Sequence, residues 1–287
     1  MSGVALPDPV AMATSAIDAV ESAIRAGMTG PARQPFVVGL CGAQGSGKTT
    51  MATGLAARFN RAGIRTTVLS LDDLYLGAAE RRTLGGAVHP LFTVRGVPGT
   101  HDVELGLSLI ERLGQPGVVA MPSFDKSTDD RAPGHDWPSV EAPVSLVIFE
   151  GWCVGARPQA AAALVEPVNR LEAERDRAAI WRRTANDALA GPYQRLFGRI
   201  DLLVLLAAPA FAVVRAWRQQ QEDDLRARSP ANASGIMTSA QIGAFVQYYE
   251  RLTRHILAEM PHYADLTLQL DEARAVTSVH SAKPRAG

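Results

Sequence analysis

The sequence predicts an α/β protein in which a mostly parallel sheet lies between two layers of helices. Three observations carry that reading. Short apolar runs without alternation, such as Phe36-Val37-Val38-Gly39-Leu40-Cys41 and Val144 to Phe149, read as strands buried on both faces. Most such runs are followed by a longer segment of helical periodicity, the alternation that builds a parallel sheet covered by crossover helices. A glycine-rich segment also stands between the first of these strands and the helix after it.

Residues 9–27 read as an amphipathic helix with Ile17, Val20 and Ile24 on one face, ended by Gly30-Pro31. After the strand at 36–41, a helix is expected from Lys48 to about Arg61, where Gly63 breaks it. Thr66 to Leu71 is a second strand. Residues 77–100, rich in Gly, Pro and Arg, read as a loop, and a helix covers about 102–113. Val118 to Met121 is a short strand leading into a polar loop at 122–143, and Val144 to Phe149 is another strand. Residues 158–198 are rich in Ala, Arg and Glu and read as a helical insertion. Leu202 to Leu206 is a further strand, followed by a long helix to about Arg228 and a loop at 229–238. Ile242, Phe245, Tyr249, Leu252 and Ile256 stripe a last helix, and Leu266 to Leu270 closes the chain as a strand. The expected organisation is an N-terminal helical extension at 1–34 and a single domain at 35–287.

Bulk properties exclude several classes. The 29 basic and 29 acidic residues cancel, whereas a chain that grips a nucleic-acid backbone carries a basic excess. No nucleic-acid partner is expected. Two cysteines, Cys41 and Cys153, are too few for a disulfide framework and suit a reducing compartment. The N-terminus lacks a basic stretch before an apolar core and carries Asp8 and Asp18, so no signal peptide is read there. The longest apolar run, Leu202 to Val214, is interrupted by Pro209 and too short to span a bilayer. The expectation is a cytoplasmic protein without a membrane partner.

Gly42-Ala43-Gln44-Gly45-Ser46-Gly47-Lys48-Thr49 fits G-x-x-x-x-G-K-[ST] at every fixed position, between a predicted strand and a predicted helix. With only three lysines in the chain, chance produces this pattern in roughly a few in a thousand chains of this length. The glycines let backbone amides curl around phosphates, and the helix N-terminus adds its positive dipole. Gly42, Ala43, Gln44, Gly45, Ser46, Gly47, Lys48, Thr49 and Thr50 are therefore expected to bind a nucleotide. Lys48 would reach the β- and γ-phosphates and the Thr49 hydroxyl would ligate Mg²⁺. The fold expected is a P-loop NTPase-type three-layer α/β/α domain, with ATP and Mg²⁺ as its cofactors.

The phosphate loop alone does not choose a chemistry. None of the three lysines lies in the Asn-Lys-x-Asp segment with which GTPases read guanine. The second strand ends in Ser70-Leu71-Asp72-Asp73-Leu74-Tyr75, where an open α/β sheet binds its ligands. A carboxylate there can accept the proton of an attacking hydroxyl, the role expected of Asp72. An aspartate after a strand also commonly caps the next helix, so the pair leaves room for both roles. The strand at 144–149 runs into Glu150, placed to hold Mg²⁺ through water or to orient a metal-bound water. An uncompensated carboxylate at a buried sheet end is costly, which weighs against a merely structural acid.

A phosphate loop, an Asp-containing segment before an aromatic residue, and a strand ending in Glu-Gly occur here in the order that the phosphoribulokinase, uridine kinase and pantothenate kinase superfamily shows. Leu74 stands where that superfamily usually has an aromatic residue. Further segments are Arg95-Gly96-Val97-Pro98-Gly99-Thr100-His101-Asp102, Pro122 to Ser127, Phe149 to Gly155, Pro167-Val168-Asn169, Asn186 to Tyr193 and Trp217-Arg218-Gln219-Gln220-Gln221. Together these resemble the D-glycerate 3-kinase family from about residue 36 to the C-terminus. The resemblance implies an ATP-dependent kinase that phosphorylates D-glycerate to 3-phosphoglycerate.

A glycerate pocket needs cations and donors, which the loops after the second and third strands offer as Arg95, His101, Lys126 and Arg131. By resemblance, Asp72, Tyr75, His101, Asp102, Asp125, Lys126 and Arg131 border the acceptor. Solvated loop charges are the plain alternative for each. The resemblance also implies a lid at about 210–235, whose arginines neutralise the migrating phosphoryl group. Arg218 is the choice among Arg215, Arg218, Arg226 and Arg228. The insertion at 158–198 would cover the acceptor site. Two other readings stay open: a sibling kinase for a nucleoside or pantothenate, and a regulatory ATPase with a degenerate acceptor pocket.

Overall fold

The computed structural model describes residues 9–29, 34–228 and 238–281. In chain order the first elements are α1 (Pro9–Met28), β1 (Phe36–Gly42), α2 (Lys48–Arg61), β2 (Thr66–Ser70), α3 (Ala78–Ala87) and α4 (Val103–Leu113). Four short strands follow, β3 (Gly117–Ala120), β4 (Phe124–Asp125), β5 (Asp130–Arg131) and β6 (Ser139–Ala142), before β7 (Leu146–Gly151). Then come α5 (Arg170–Arg175), α6 (Ile180–Ala190), α7 (Pro192–Phe197), β8 (Leu202–Ala207), α8 (Phe211–Arg228), α9 (Ser239–Glu259), β9 (Leu266–Leu270) and β10 (Val276–Ser281).

Six strands form the central sheet in the order β10-β9-β8-β1-β7-β2, parallel except for the antiparallel edge strand β10. Successive residues of a strand face opposite sides. Val38, Leu40, Ile148 and Val204 accordingly pack with Leu55 and Phe59 of α2 and Val20 and Ile24 of α1. Val37, Val147, Phe149 and Leu205 pack on the other side with Leu109, Ile110 and Leu113 of α4 and Leu196 of α7. Fully burying each of these large side chains contributes about 1.5–3 kcal/mol, so the two cores hold the three layers together. The three-layer α/β/α architecture is the one expected.

Four segments depart from the sequence reading. Residues 77–100 are not a loop: α3 and a 3₁₀ turn at Pro90–Thr93 occupy most of it. Tertiary contacts make this helix despite its paired glycines. The Glu80 carboxylate accepts from the Gly77 amide (2.7 Å), and Asp130 of β5 accepts from Ala78 (3.0 Å), which caps the N-terminus from outside. Gly85 lets the helix lie against the turn, because a Cβ there would sit 2.4 Å from Thr93 Cγ2. The strand expected at 118–121 lies outside the central sheet, pairing with β6 in a separate antiparallel ribbon. The expected polar loop at 122–143 holds that partner strand and the β4–β5 hairpin. Finally, β9 does not close the chain, since β10 returns beside it.

The segment read as a helical insertion forms α5, α6 and α7 and is fastened from within. Arg251 of α9 makes a bidentate pair with the buried Glu172 of α5 (2.6 and 2.8 Å) and donates to the carbonyls of Ala163 and Glu166. Removing one partner of a buried pair strands the other charge. Arg251→Leu should therefore cost about 3–5 kcal/mol in urea denaturation. The double variant Arg251→Leu/Glu172→Leu should cost less; equal losses would show that the stranded carboxylate is not the cause.

Candidate active site

The parallel register sets the site. Leu40 of β1 and Ser70 of β2 both stand opposite Glu150 of β7, so the ends of three adjacent strands lie level beneath the phosphate loop. Glu150 Oε1 accepts from the Thr49 hydroxyl at 3.1 Å and from the Ser70 hydroxyl at 3.0 Å. Its other oxygen, Oε2, is buried without a hydrogen-bond partner. Among the described residues no group of three or more His, Cys, Asp and Glu could cage a metal. A hydroxyl beside a buried carboxylate with one spare oxygen fits a small hard cation that keeps water and phosphate oxygens as its remaining ligands.

The loop from Gly42 to Gly47 leads into α2, which begins at Lys48. Gly45 adopts a left-handed φ of 80°, and a Cβ there would lie 2.6 Å from Trp217 Cβ of α8. Only glycine meets both demands. The Ser46 hydroxyl and Gln44 Oε1 are buried without partners. Thr50, also expected to bind nucleotide, is exposed on the first turn of α2.

The loop opens on a cleft of about 490 Å³. Gln44, Gly45, Lys48, Thr49 and Glu150 form its nucleotide end. Asp72, Tyr75, Arg95, Lys126 and Arg218, all singled out from the sequence, line it further, together with Val68, Ser70, Asp73, Phe245 and Tyr249. A larger cavity of about 630 Å³ contains Asp201 and Asp265, but these carboxylates accept from strand amides of Val37 and Leu203. That cavity lies at the strands' beginnings, whereas open α/β sheets bind ligands beyond their carboxyl ends.

Asp72 is the carboxylate that the cleft's lysines act on most directly. Its Oδ2 accepts from Lys126 Nζ at 2.7 Å, and the side chain remains 33% exposed. Burial pushes its carboxyl up, but the Lys126 and Lys48 ammonium groups outweigh that and hold it at about 2. Lys126 is 59% exposed, so another anion can reach it. Asp73 differs: its carboxylate accepts from the Phe124 amide at 3.1 Å, and burial raises its pKa. Neither aspartate caps the short 3₁₀ turn at Leu71–Leu74. The Ser70 hydroxyl does so by accepting from the Asp72 amide.

The remaining expected residues, and the two arginines of the cleft, are bonded to neighbouring groups. Asp102 caps α4 through the Leu105 amide (2.9 Å) and receives Arg131, which also donates to the Tyr75 carbonyl. Asp125 accepts from the amide and hydroxyl of Ser127, forming a turn in the hairpin tip. Arg95 pairs with Asp129 and lies over the Phe124 ring. Arg218 of α8 pairs with the buried Glu222, while Arg215 is exposed. Of the expected lid, residues 229–237 and the side chains of Arg226 and Arg228 lie outside the described residues.

His101 stacks on Tyr75 with centroids 4.3 Å apart and is only 5% exposed. The Tyr193 hydroxyl accepts from the Gly99 amide and shares a 2.6 Å hydrogen bond with His101 Nδ1. His101 Nε2 is buried without a hydrogen-bond partner, so the ring is held through Nδ1. Sequence reasoning missed Asp73, Phe245 and Tyr249 as cleft residues. The two aromatics had shown only a helical apolar stripe, and nothing in that spacing separates a core face from a cleft wall.

A phosphate loop and an ionised aspartate facing each other across one cleft are the parts of a P-loop kinase that acts on a small molecule. Residues 37–157 match the Phosphoribulokinase / Uridine kinase family. The chain is 33% identical over 233 residues to the uncharacterized kinase mug58 of Schizosaccharomyces pombe, spanning 76% of this chain and 80% of that one. It thus belongs to the phosphoribulokinase and uridine kinase family, and it is a phosphotransferase that uses ATP with an alcohol as acceptor. It is also similar to the chloroplastic D-glycerate 3-kinase of Arabidopsis thaliana, at 29% identity over 255 residues. That match covers 84% of this chain and about half (53%) of the relative. In fold it resembles the D-glycerate 3-kinase from Cryptococcus neoformans, with a TM-score of 0.77, 24% identity, and coverage of 92% of this chain and 98% of that one. No helix among the described residues is long and apolar enough to cross a membrane.

Burial lowers the pKa of His101 from 6.5 to about 3, so the folded chain resists a proton that the unfolded chain takes up readily. Its folded value is depressed, so the stability it contributes is present above about pH 6.5 and is lost as pH falls towards 3. Between about pH 7 and pH 5 this group alone should remove about 2 kcal/mol from the urea-unfolding free energy. His101→Gln should lose correspondingly less over that interval. An unchanged slope would place the titration elsewhere.

Proposed function

We propose that the acceptor is D-glycerate and the product 3-phosphoglycerate. The observation that carries this reading is the Lys126–Asp72 pair at the mouth of the phosphate loop. It sets an exchangeable cation against a carboxylate placed for proton transfer. D-glycerate carries one carboxylate, which matches Lys126, and a primary hydroxyl, the less hindered of its two nucleophiles. The names of the plant and fungal relatives support the same acceptor.

In this reading the acceptor hydroxyl oxygen bonds to the γ-phosphorus of ATP, the bond from that phosphorus to the β–γ bridging oxygen breaks, and ADP leaves. The hydroxyl proton passes to Asp72. A carboxyl held at about 2 is a weak base, which suits a loose transition state in which the proton moves late and the aspartate chiefly orients the nucleophile. Lys48 and Arg218 offset charge on the transferring group. Thr49 and Glu150, the latter through water, would hold Mg²⁺, which would supply positive charge against the phosphates. The helices at 158–198 brace the acceptor loop through Tyr193, whose hydroxyl joins Gly99 to His101.

Steady-state kinetics test these assignments. Asp72→Asn should lower kcat by about 10²–10⁴-fold with little change in ATP affinity. Asp73→Asn should stay near wild type, because an amide oxygen still accepts from Phe124; the reverse pattern would exchange the two roles. Lys126→Met should raise KM for D-glycerate by about tenfold or more, leaving KM for ATP nearly unchanged. L-glycerate should be a poor substrate. Brisk uridine or pantothenate phosphorylation without glycerate turnover would overturn the acceptor, and acceptor-independent hydrolysis alone would indicate a regulatory ATPase.

A further inference from the structure

The segment Trp217 to Gln221 stands out in the sequence, and among its described side chains Arg218 alone faces the cleft. Trp217 is buried directly beneath the phosphate loop, where its Cβ fills the space that a side chain at Gly45 would need. The indole Nε1 donates to the Glu272 carbonyl at 2.7 Å, tying α8 to the turn between β9 and β10. Arg274 leaves that turn and lies over the Trp217 ring, 5.3 Å from its centroid. Its guanidinium makes two further bonds. Nε donates to the Gly45 carbonyl at 2.5 Å, and Nη1 donates to Gln220 Oε1 at 2.8 Å.

One planar group thus touches the phosphate loop, the indole of α8 and a carboxamide one turn along the same helix. Arg274 also sits at a φ of 70°, where a glycine would rest without strain. A non-glycine residue held there costs about 1 kcal/mol or more, and such a residue persists where its surroundings over-determine it. The Gly45 carbonyl is thus held by a group that does not line the cleft. A carbonyl turned inward would set its negative end against the phosphates.

We propose that Arg274 is a positioning residue that fastens the phosphate loop to the helix carrying Arg218, so that nucleotide on the loop and α8 hold each other in place. The inference rests on the nucleotide half of the reading above and is independent of which acceptor is used. By linkage, a nucleotide that orders the loop must then also order α8, and loosening α8 must weaken the nucleotide. Arginine is required because its fork reaches two acceptors while its face stacks on an indole, which the point charge of lysine cannot do.

Hydrogen exchange on the full chain with and without ADP and Mg²⁺ reads this coupling directly. In the wild type, ADP should slow exchange both in the loop at 42–50 and in α8 at 211–220. Arg274→Gly, which removes the side chain and relieves the backbone together, should keep the loop response and lose that of α8. It should also raise KM for ATP by about tenfold, with KM for the acceptor nearly unchanged. Gln220→Ala, an exposed change that spares the bond to Gly45, should weaken the α8 response with a smaller effect on KM. Arg274→Lys should fail to restore either. A wild-type α8 that ignores ADP would overturn the proposal, as would an Arg274→Gly chain whose α8 responds like the wild type. Calorimetry of ADP binding to the wild type reports separately on the nucleotide site, and no binding there would overturn both.

Discussion

The hydrogen bonds that Glu150 accepts from Thr49 and Ser70 join the two halves of the cleft, and the rest of the site depends on them. They exist because β1 and β2 flank β7 in register, so that one buried carboxylate meets the Ser70 hydroxyl at the end of β2 and the Thr49 hydroxyl on α2, which the loop after β1 leads into. The loop that would bind phosphates follows β1, and the aspartates that would meet an acceptor follow β2. A slip of one residue in either pairing would turn the carboxylate to the other face of the sheet. The large apolar side chains on both faces of these strands oppose such a slip, so the core sets the geometry of the chemistry.

On the acceptor side the organising feature is charge pairing among groups of unequal exposure. Arg81 is buried and Arg95 half-buried, both on Asp129, and together they fix the tip of the β4–β5 hairpin from which Lys126 projects. Arg131 is spent on the Tyr75 carbonyl and Asp102. These cations shape the wall. Lys126 alone of this group is mostly exposed, and it rests on Asp72. An exposed pair contributes little to stability and exchanges partners readily, which suits a group that must release one carboxylate and accept another.

Much of this was legible before the structure because the signals were local. The phosphate loop is a contiguous pattern, and Glu150 directly follows the run from Val144 to Phe149, so the spacing itself predicts both. What was not legible depended on contacts distant in sequence. The helix at 78–87 contains Gly85 and Gly86 and is capped by Asp130, some fifty residues onward. The strand at 117–120 has a convincing β composition, but composition does not say which sheet a strand joins. Tyr249 looks like any core residue of an amphipathic helix, although its hydroxyl donates to the Arg95 carbonyl beside the cleft. Asp102, Asp125 and Arg131 lie in motifs near the site, and the structure shows them bonded to backbone and neighbouring charges instead of lining the cleft. Arg274 had no local signal at all.

The function proposed for this cleft is transfer of the γ-phosphoryl group of ATP to the primary hydroxyl of D-glycerate. Phosphorus NMR of the mixture after incubating the wild-type chain with ATP, Mg²⁺ and D-glycerate tests it most directly. Stoichiometric ADP and 3-phosphoglycerate are expected, with neither formed at an appreciable rate by Asp72→Asn. A 2-phosphoglycerate signal would contradict the orientation of the acceptor, and ADP with inorganic phosphate but no phosphorylated glycerate would contradict the transfer itself.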